Sequence, residues 1–304
     1  IPAQIWLEDI AISPNNVQVV YTLDNHAVSP NIEVLWRVPL AGGTALALSS
    51  TTINPYGISI IFKITPDSAA IIYRTSSMFT ELFQTDMEGN HEILALYDIG
   101  DFDVNSDTVV FMQMYEYPNY KIYSIPIIGG TTTTLNGSIV TGGSVTSFRI
   151  SPNGETVVYR ADEIEDNQYE LFAVPVDGGT RIRLISGLVP GGNVLSYQIL
   201  PNSQGVVYNA DQLVDERIDL GAVAISGGTN YWLNGTMVAD ADVHGFSITP
   251  NSLGVVFIAD KNTFGLYELF IVSVTGANLH RLNSDLPPLG DVTNFRIMPN
   301  NTGV

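Results

Sequence analysis

The fold is decided by residues 148–184, which read FRISPNGETVVYRADEIEDNQYELFAVPVDGGTRIRL. Four runs within this stretch have the alternating or β-branched and aromatic composition of strands: 148–150, 157–159, 169–176 and 181–184. The first two runs are separated by Ser-Pro-Asn-Gly, whose backbone preferences suit a tight turn, and the last two by Gly-Gly, a hairpin signal. The stretch therefore predicts four short antiparallel strands that form one small sheet.

The same unit recurs along the whole chain. The turn at Pro152 has equivalents at Pro14, Pro66, Val104, Pro201, Pro250 and Pro299, at intervals of 38 to 52 residues. Five residues after each of the first six turns come two β-branched residues and a Tyr or Phe, as in Val157-Val158-Tyr159. Four-stranded units with a period of about 40–50 residues are typical of β-propeller blades, in which each sheet buries its apolar faces against its neighbours. The repeat predicts an all-β propeller of four-stranded antiparallel blades.

The spacing predicts a single propeller domain over residues 1–304, with blades that start near residues 8, 59, 100, 146, 195 and 244. Residues 299–304 repeat the pattern of residues 250–255, so 292–304 is predicted to supply the innermost strand of a seventh blade. We accordingly expect the protein to continue beyond Val304. Seven blades are favoured over the alternative of six.

Composition limits the classes of partner. The chain has 304 residues, a formal net charge of −19 and no cysteine, so it forms no disulfides. A nucleic-acid-binding surface needs basic side chains against the phosphates, and this chain has 12 Lys and Arg residues against 31 Asp and Glu. No apolar run approaches the roughly 20 residues that cross a bilayer. The sequence predicts neither nucleic-acid binding nor membrane insertion.

The motif Ser-Pro-Asn-Gly-x-x-Val-Val-Tyr, followed by Tyr-Glu-Leu-Phe-x-Val-Pro-Val-Asp-Gly-Gly, resembles the WD40-like repeats of TolB-type β-propellers. The resemblance covers the chain from Ile12 onward. The family usually has Asp after the Pro of the turn. This chain keeps Asp at Asp67, but other repeats have Asn there, for example Asn153. The resemblance implies a bacterial protein of the periplasm, the cell surface or the extracellular space that binds other proteins. Repeats of this type also occur in large bacterial surface proteins.

Three basic residues share one position of the repeat, three residues before the turn anchor: Lys63, Arg149 and Arg296. This position lies on the innermost strand of a blade, near the propeller axis. One hypothesis is an axial site that binds a carboxylate or another anionic ligand. The alternative is that these side chains pair with acidic residues of the adjacent blade, such as Asp101 or Asp103.

Acidic loops follow the second strands of the regular blades. The candidate metal ligands are Asp162, Asp166, Asp211, Asp215 and Asp260. Calcium prefers six to eight oxygen ligands of this kind, although no loop has the Asp-x-Asp-x-Asp-Gly spacing of a calcium loop. The alternative, which we favour, is that each Asp accepts backbone N–H groups that close its own loop, so no cofactor is expected.

Catalytic signatures are missing from the sequence. The four histidines have no ligand or catalytic spacing, and neither a Gly-x-Ser-x-Gly elbow nor a sialidase-type Asp box is present. We expect a non-enzymatic scaffold outside the bacterial cytoplasm that binds a protein partner or itself. One mode of binding to consider is strand donation within a surface or filamentous assembly. The second hypothesis is a ligand- or calcium-binding propeller, and an uncharacterised hydrolase is the third.

Overall fold

The computed structural model describes residues 5–25, 32–49, 59–76, 80–96, 98–115, 117–287, 290–300 and 303. Their regular secondary structure is entirely β, with 24 strands in six four-stranded sheets. Strands follow chain order within each sheet and pair antiparallel. The predicted fold class is therefore confirmed, and each sheet is called a blade below. The chain divides into two compact units, 1–135 with 176–178 and 136–175 with 179–304.

The first unit contains the first three blades. Blade one consists of β1 (Ile5–Ile12), β2 (Gln18–Asn25), β3 (Ile32–Pro39) and β4 (Leu46–Ala47). Blade two consists of β5 (Ser59–Ile64), β6 (Ala70–Ser76), β7 (Glu81–Asp86) and β8 (His91–Ala95). Blade three consists of β9 (Ile99–Val104), β10 (Thr108–Gln113), β11 (Lys121–Pro126) and β12 (Thr133–Thr134).

The second unit contains the three most regular blades. Blade four consists of β13 (Val145–Ile150), β14 (Thr156–Ala161), β15 (Glu170–Pro175) and β16 (Ile182–Arg183). Blade five consists of β17 (Val194–Ile199), β18 (Gly205–Ala210), β19 (Asp219–Ala224) and β20 (Tyr231–Trp232). Blade six consists of β21 (Val243–Ile248), β22 (Gly254–Ala259), β23 (Glu268–Ser273) and β24 (His280–Arg281).

The core lies between consecutive blades. In the second unit, Val158 and Leu171 of blade four form one buried cluster with Val206 and Tyr208 of blade five. A second cluster joins blade five to blade six, and two clusters of the same kind join blades one to two and two to three. Burying a Val or Leu side chain contributes about 1.5–3 kcal/mol, so this face-to-face packing is the main source of stability.

Blade five departs from the aromatic pairing seen in its neighbours. Tyr159 stacks on Phe172 in blade four, with ring centroids 5.3 Å apart. The residue equivalent to Phe172 in blade five is Gly221, which lies opposite Tyr208 on the adjacent strand. A Cβ atom at Gly221 would lie 2.6 Å from the Tyr208 hydroxyl, so the Tyr208 side chain requires glycine at this position.

The segment that follows blade six is bonded to that blade, for example by the Val292 N–H, which donates to the Tyr267 carbonyl at 2.9 Å. Residues 290–300 carry no assigned strand in the part of the chain that the structure describes. The Met298 N–H nevertheless donates to the Gly303 carbonyl at 2.9 Å, as the Thr249 N–H does to Gly254 in blade six. The turn of a seventh repeat is thus formed, while the described residues provide no second strand for it. The extent of the domain stays a prediction.

Candidate functional site

Lys63 lies in the first unit, on the innermost strand of blade two. Its Nζ atom is 2.9 Å from Asp103 Oδ1 on β9 and 5.5 Å from the centroid of the Phe102 ring. Both contacts are with blade three. At this position the structure therefore shows the inter-blade pairing that was the alternative to an anion-binding role.

Arg149 and Arg296 belong to the second unit and are exposed. Arg149 Nη1 donates to the Phe148 carbonyl at 2.7 Å. Arg296 lines a groove of about 920 Å³ beside blade six. The axial anion-binding site therefore stays a prediction. Of the three candidate residues, Arg296 is the one that lines this groove.

In the acidic loops, the first aspartate accepts a backbone N–H from another part of the same blade. Asp162 Oδ1 accepts the Ser144 N–H at 2.6 Å, and Asp260 Oδ1 accepts the Asp242 N–H at 2.7 Å. Asp211 accepts the equivalent N–H, that of Asn193. Each bond connects the end of the second strand to the entry of the innermost strand of the same blade, so these side chains fix the blade geometry.

The second oxygens of two of these aspartates are also engaged. Asp162 Oδ2 accepts the Asn167 N–H and Asp260 Oδ2 accepts the Gly265 N–H, both at 2.9 Å. A cation bound at either residue would displace these loop-closing bonds. Within the described residues, no group of three His, Cys, Asp or Glu side chains is placed to hold a metal ion.

Asp166 and Asp215 lie further along the same loops, against glycine backbone. A Cβ atom at Gly142 would be 2.8 Å from Asp166 Oδ1, and one at Gly191 would be 2.9 Å from Asp215 Oδ1. Both glycines have positive φ, at 92° and 86°. The two candidates thus occupy one repeated packing position, and calcium binding there remains a prediction.

Buried carboxylates on the third strands were missed by the sequence interpretation. Glu170, Asp219 and Glu268 are each 2% exposed and occupy one position of blades four, five and six. Glu170 pairs with Arg183 and Glu268 pairs with Arg281, in both cases an arginine on the fourth strand. The recurrence of an acidic residue before Leu at this position is the signal that would have identified them.

A second buried carboxylate lies in blade four. Glu163 Oε1 accepts the Tyr159 hydroxyl at 2.9 Å and the Gly137 N–H at 2.8 Å. Arg181 Nη1 lies 3.1 Å from Glu163 Oε2. Burial raises the pKa of Glu163 above its ordinary value, and the positive charge of Arg181 opposes that rise only in part. The Glu163 side chain is fully buried in this network, whereas the Arg181 side chain is 32% exposed.

A groove of about 920 Å³ lies beside blade six and is open to solvent. It is lined by β21 residues, by Ile258 and Tyr267, and by residues 291–297. The His244 ring packs edge-on against the Tyr267 ring, with centroids 4.3 Å apart. At the equivalent place in blade four, the Arg160 guanidinium lies 4.0 Å from the centroid of the Tyr169 ring. Replacement of Arg160 by Ile258 in the repeat therefore removes the charged side chain from this volume.

Residues 291–298 make the same backbone contacts with blade six that the innermost strand of blade five makes with blade four and that of blade six makes with blade five. The Val292 N–H donates to the Tyr267 carbonyl at 2.9 Å, and Asp291 Oδ1 accepts the Tyr267 N–H at 3.0 Å. The corresponding bonds between blades four and five join Val194 and Asn193 to Tyr169, each at 2.8 Å. The segment thus has the position of an innermost strand.

Blade one exposes apolar side chains along its innermost strand. On β1, Trp6 is 55% exposed and Ile10 is 58% exposed, and Ile5, Leu7 and Ile12 are exposed to a similar degree. The innermost strands of blades four, five and six begin with a buried Val, as at Val145. Because the ladder is shifted between Leu7 and Asp9, the exposed side chains of Ile5, Leu7, Ile10 and Ile12 share one face of β1, whereas Trp6 lies on the other.

No known family profile and no curated protein matches the chain in sequence. Among the described residues, no helix is long and apolar enough to cross a bilayer.

Solved structures do match it. Prolyl oligopeptidase B from Galerina marginata is 12% identical with a TM-score of 0.57, over 93% of this chain and 44% of that protein. Oligogalacturonate lyase from Vibrio parahaemolyticus is 11% identical with a TM-score of 0.52, over 93% of this chain and 85% of that one.

TolB structures are also among the similar structures. TolB from Acinetobacter baumannii is 15% identical with a TM-score of 0.45, over 86% of this chain and 62% of TolB. The chain therefore spans less than two thirds of that protein. At such identities the likeness to solved structures assigns no activity, and what is established is the fold, an all-β propeller of four-stranded antiparallel blades.

Proposed function

We propose that this protein is a non-enzymatic scaffold that acts by binding protein, and that it works outside the bacterial cytoplasm. The observation that carries the proposal is the exposed apolar row on β1, residues 5–12. Large apolar side chains that are more than half exposed are costly in water, and covering them by another protein is favourable. The resemblance of the repeats to those of TolB-type propellers supports the location.

A second copy of the chain is the partner that β1 suits best. Among the described residues, β1 is the first strand of its sheet and pairs with β2 alone, so a new strand could add to its other edge. Two copies that pair β1 with β1 antiparallel would satisfy the backbone groups of both edges and place their apolar side chains next to each other across a two-fold axis. The net charge of −19 makes two copies repel each other at low salt. Salt screens this repulsion, so association should strengthen as the salt concentration increases.

Sedimentation velocity over a range of protein concentrations tests this function. We expect a concentration-dependent dimer at moderate salt, and we expect the double variant Leu7→Glu, Ile10→Glu, which changes two exposed residues of one face, to remain monomeric. Leu253→Glu is the matched control, because Leu253 is an exposed apolar residue of a turn far along the chain from β1. A wild-type protein that stays monomeric at every concentration and salt would contradict the proposal.

A further inference from the structure

We propose that a groove between blades five and six is a docking surface for another protein, and that it takes a segment in which Lys or Arg alternates with large apolar residues. The groove has a volume of about 450 Å³ and belongs entirely to the second unit. The inference rests on the proposed scaffold function and deepens it, since it names a binding surface apart from β1 and the chemistry of the partner.

Two neighbouring loops line this groove, which is called the acidic groove below. The loop between β18 and β19 contributes residues 214–217, and the connection from β20 to β21 contributes Ala239, Asp240 and Asp242. The Ile218 N–H donates to Asp242 Oδ1 at 2.7 Å and thereby holds the two loops together. At roughly 30 Å³ per water, a volume of about 450 Å³ accommodates more than one Lys or Arg side chain.

Exposed apolar side chains lie along the rim of the acidic groove. Leu213 and Val214 are each 47% exposed, and Val238 in the other loop is 39% exposed. Val214 itself lines the groove, and the other two residues are chain neighbours of lining residues. A group of exposed apolar side chains that is bordered by polar ones is typical of a surface that another protein covers.

The lining of the acidic groove carries an excess of negative charge. The acidic lining residues are Asp215, Glu216, Asp240 and Asp242. The basic lining residue is Arg217, whose Nη2 atom lies 2.8 Å from Asp219 Oδ2 and whose Nε atom lies 3.2 Å from the same oxygen. Because Asp219 is buried, the charge of Arg217 compensates that carboxylate. The negative charge of the groove is thus left for a cationic partner to neutralise.

The fold does not require these charges, as the equivalent place between blades four and five shows. Three acidic positions of the groove are neutral there, where Asn167, Gly191 and Asn193 correspond to Glu216, Asp240 and Asp242. Asn193 Oδ1 accepts the Tyr169 N–H at 2.8 Å, so a neutral amide makes the bond that Asp242 makes to Ile218. The additional carboxylates therefore supply charge without supplying a bond that a neutral residue could not make, which favours a role in binding.

Charge decides which occupant the acidic groove takes. Nucleic acids and anionic lipids carry the same sign of charge as the groove and are repelled by it. A second copy of this chain, with its net charge of −19, is repelled as well. A bare cation would neutralise the carboxylates but leave Leu213, Val214 and Val238 exposed. A protein segment with alternating basic and apolar side chains satisfies both parts of the surface.

Fluorescence anisotropy of a labelled peptide, KLRLKLRLKL, with the whole chain tests the proposal. We expect saturable binding that weakens as salt increases, which is opposite in sign to the self-association through β1. The double variant Glu216→Asn, Asp240→Gly should weaken binding about tenfold, because it removes two of the attracting charges. Both substitutions copy the place between blades four and five and relieve φ values of 65° and 62°, so the variant should fold.

Glu155→Gln, Glu165→Gln is the matched control, because it removes two charges from exposed positions of blade four and should leave binding nearly unchanged. The apolar contact is tested by Val214→Ser and by the peptide KSRSKSRSKS, in which serine replaces each leucine. Each of these changes should weaken binding about fivefold through loss of apolar burial. Thermal unfolding establishes that each variant is folded.

Absence of saturable binding would overturn the proposal. Equal weakening by the two double variants would also overturn it, because net charge alone would then explain the binding. Equal affinity of the leucine and serine peptides would do the same, as would calorimetric binding of calcium chloride that the Glu216→Asn, Asp240→Gly variant loses. A wild-type chain that binds the peptide but does not associate through β1 would refute only the proposed mode of scaffolding.

Discussion

Blade four and blade six have nearly the same strands, lengths and turn, yet their outward faces differ. In blade four, the face is closed by Arg160 over Tyr169 and by the second strand of blade five. In blade six, Ile258 replaces the arginine and Leu269 is half-exposed. Whether a repeat position is buried is therefore decided by the sheet that follows it more than by its own residue. The predictions below test this comparison, beginning with the largest expected effect.

The largest difference between blades four and six should appear when the arginine that pairs with the buried carboxylate is removed from each blade. Glu170 Oε2 is buried and accepts no hydrogen bond within the described residues, so Arg183 is its main compensation. We expect Arg183→Ala to lower the free energy of unfolding by about 3 kcal/mol, because it leaves a buried charge unpaired. Urea denaturation at pH 7 measures this loss.

Arg281→Ala in blade six is the matched control. Glu268 keeps a hydrogen bond from Asn262 Nδ2 at 2.9 Å after the arginine is removed, so the loss should be clearly smaller. Equal losses in the two variants would show that the second donor is unimportant. The difference between the blades would then lie elsewhere.

The cationic side chain between blades four and five gives the next largest effect. Arg160 stacks on Tyr169, donates to the Val194 carbonyl and donates to Thr146 Oγ1 at 2.9 Å. We expect Arg160→Ile, which copies blade six, to destabilise the protein by about 2 kcal/mol through loss of the stacking and of a buried hydrogen bond. The change in thermal midpoint, calibrated by calorimetry, measures it.

Ile258→Arg is the reciprocal substitution. His244 already packs against Tyr267, so the new arginine should gain little stability. It should, however, place a charged side chain in the groove that Ile258 lines. A neutral Arg160→Ile variant would argue that the packing of Tyr169 alone holds blades four and five together.

Much of this architecture could be predicted from the sequence, because a propeller blade is encoded locally. The Pro-anchored turn, the Val-Val-Tyr run and the Gly-Gly hairpin each depend on backbone preference or on two-residue alternation. Gly178 and Gly179 have φ values of 87° and 124°, as the predicted hairpin requires. The loop-closing bonds of Asp162 were expected for the same reason, since a short side chain meets nearby N–H groups.

The site was harder to predict because its features depend on distant contacts. Lys63 and Arg149 share a repeat position, but Lys63 pairs with Asp103 of the next blade and Arg149 donates to the Phe148 carbonyl, so the repeat position does not determine the contact. The burial of Glu170 could not be predicted from the sequence, since an acidic residue at the start of a strand is usually exposed. The groove beside Ile258 becomes visible only when equivalent residues of three blades are compared in space.

Glu170 Oε2 of blade four lacks a hydrogen-bond donor within the described residues, and a substitution that supplies one should be stabilising. Ile164 of blade four is equivalent to Asn262 of blade six and is 47% exposed, so little apolar burial is lost when it is replaced. We expect Ile164→Asn to raise the free energy of unfolding by about 1 kcal/mol, through a new hydrogen bond to Glu170 Oε2. Asn262→Ile should have the opposite sign in blade six. If both variants were destabilising in urea, the two loops would not be equivalent.

The smallest effect concerns the pH dependence of stability in blade four. Burial raises the pKa of Glu163 above 4.5, so the native state holds the proton more tightly than the unfolded chain does. The stability that this linkage contributes is fully present below pH 4.5 and is lost as the pH rises through the pKa of the native state. Glu163→Gln, which copies Gln212 of blade five, abolishes this contribution.

Urea denaturation at several pH values between 4 and 7 tests the linkage against the ordinary glutamate pKa of about 4.3. Relative to Glu163→Gln, the wild-type protein should gain stability as the pH falls. Glu165→Gln removes the same formal charge from an exposed position of the same loop and controls for net charge. Parallel pH profiles for the wild-type protein and Glu163→Gln would mean that Arg181, 3.1 Å away, fully compensates the buried carboxylate. Blade four would then tolerate its charge as readily as blade five tolerates the neutral Gln212.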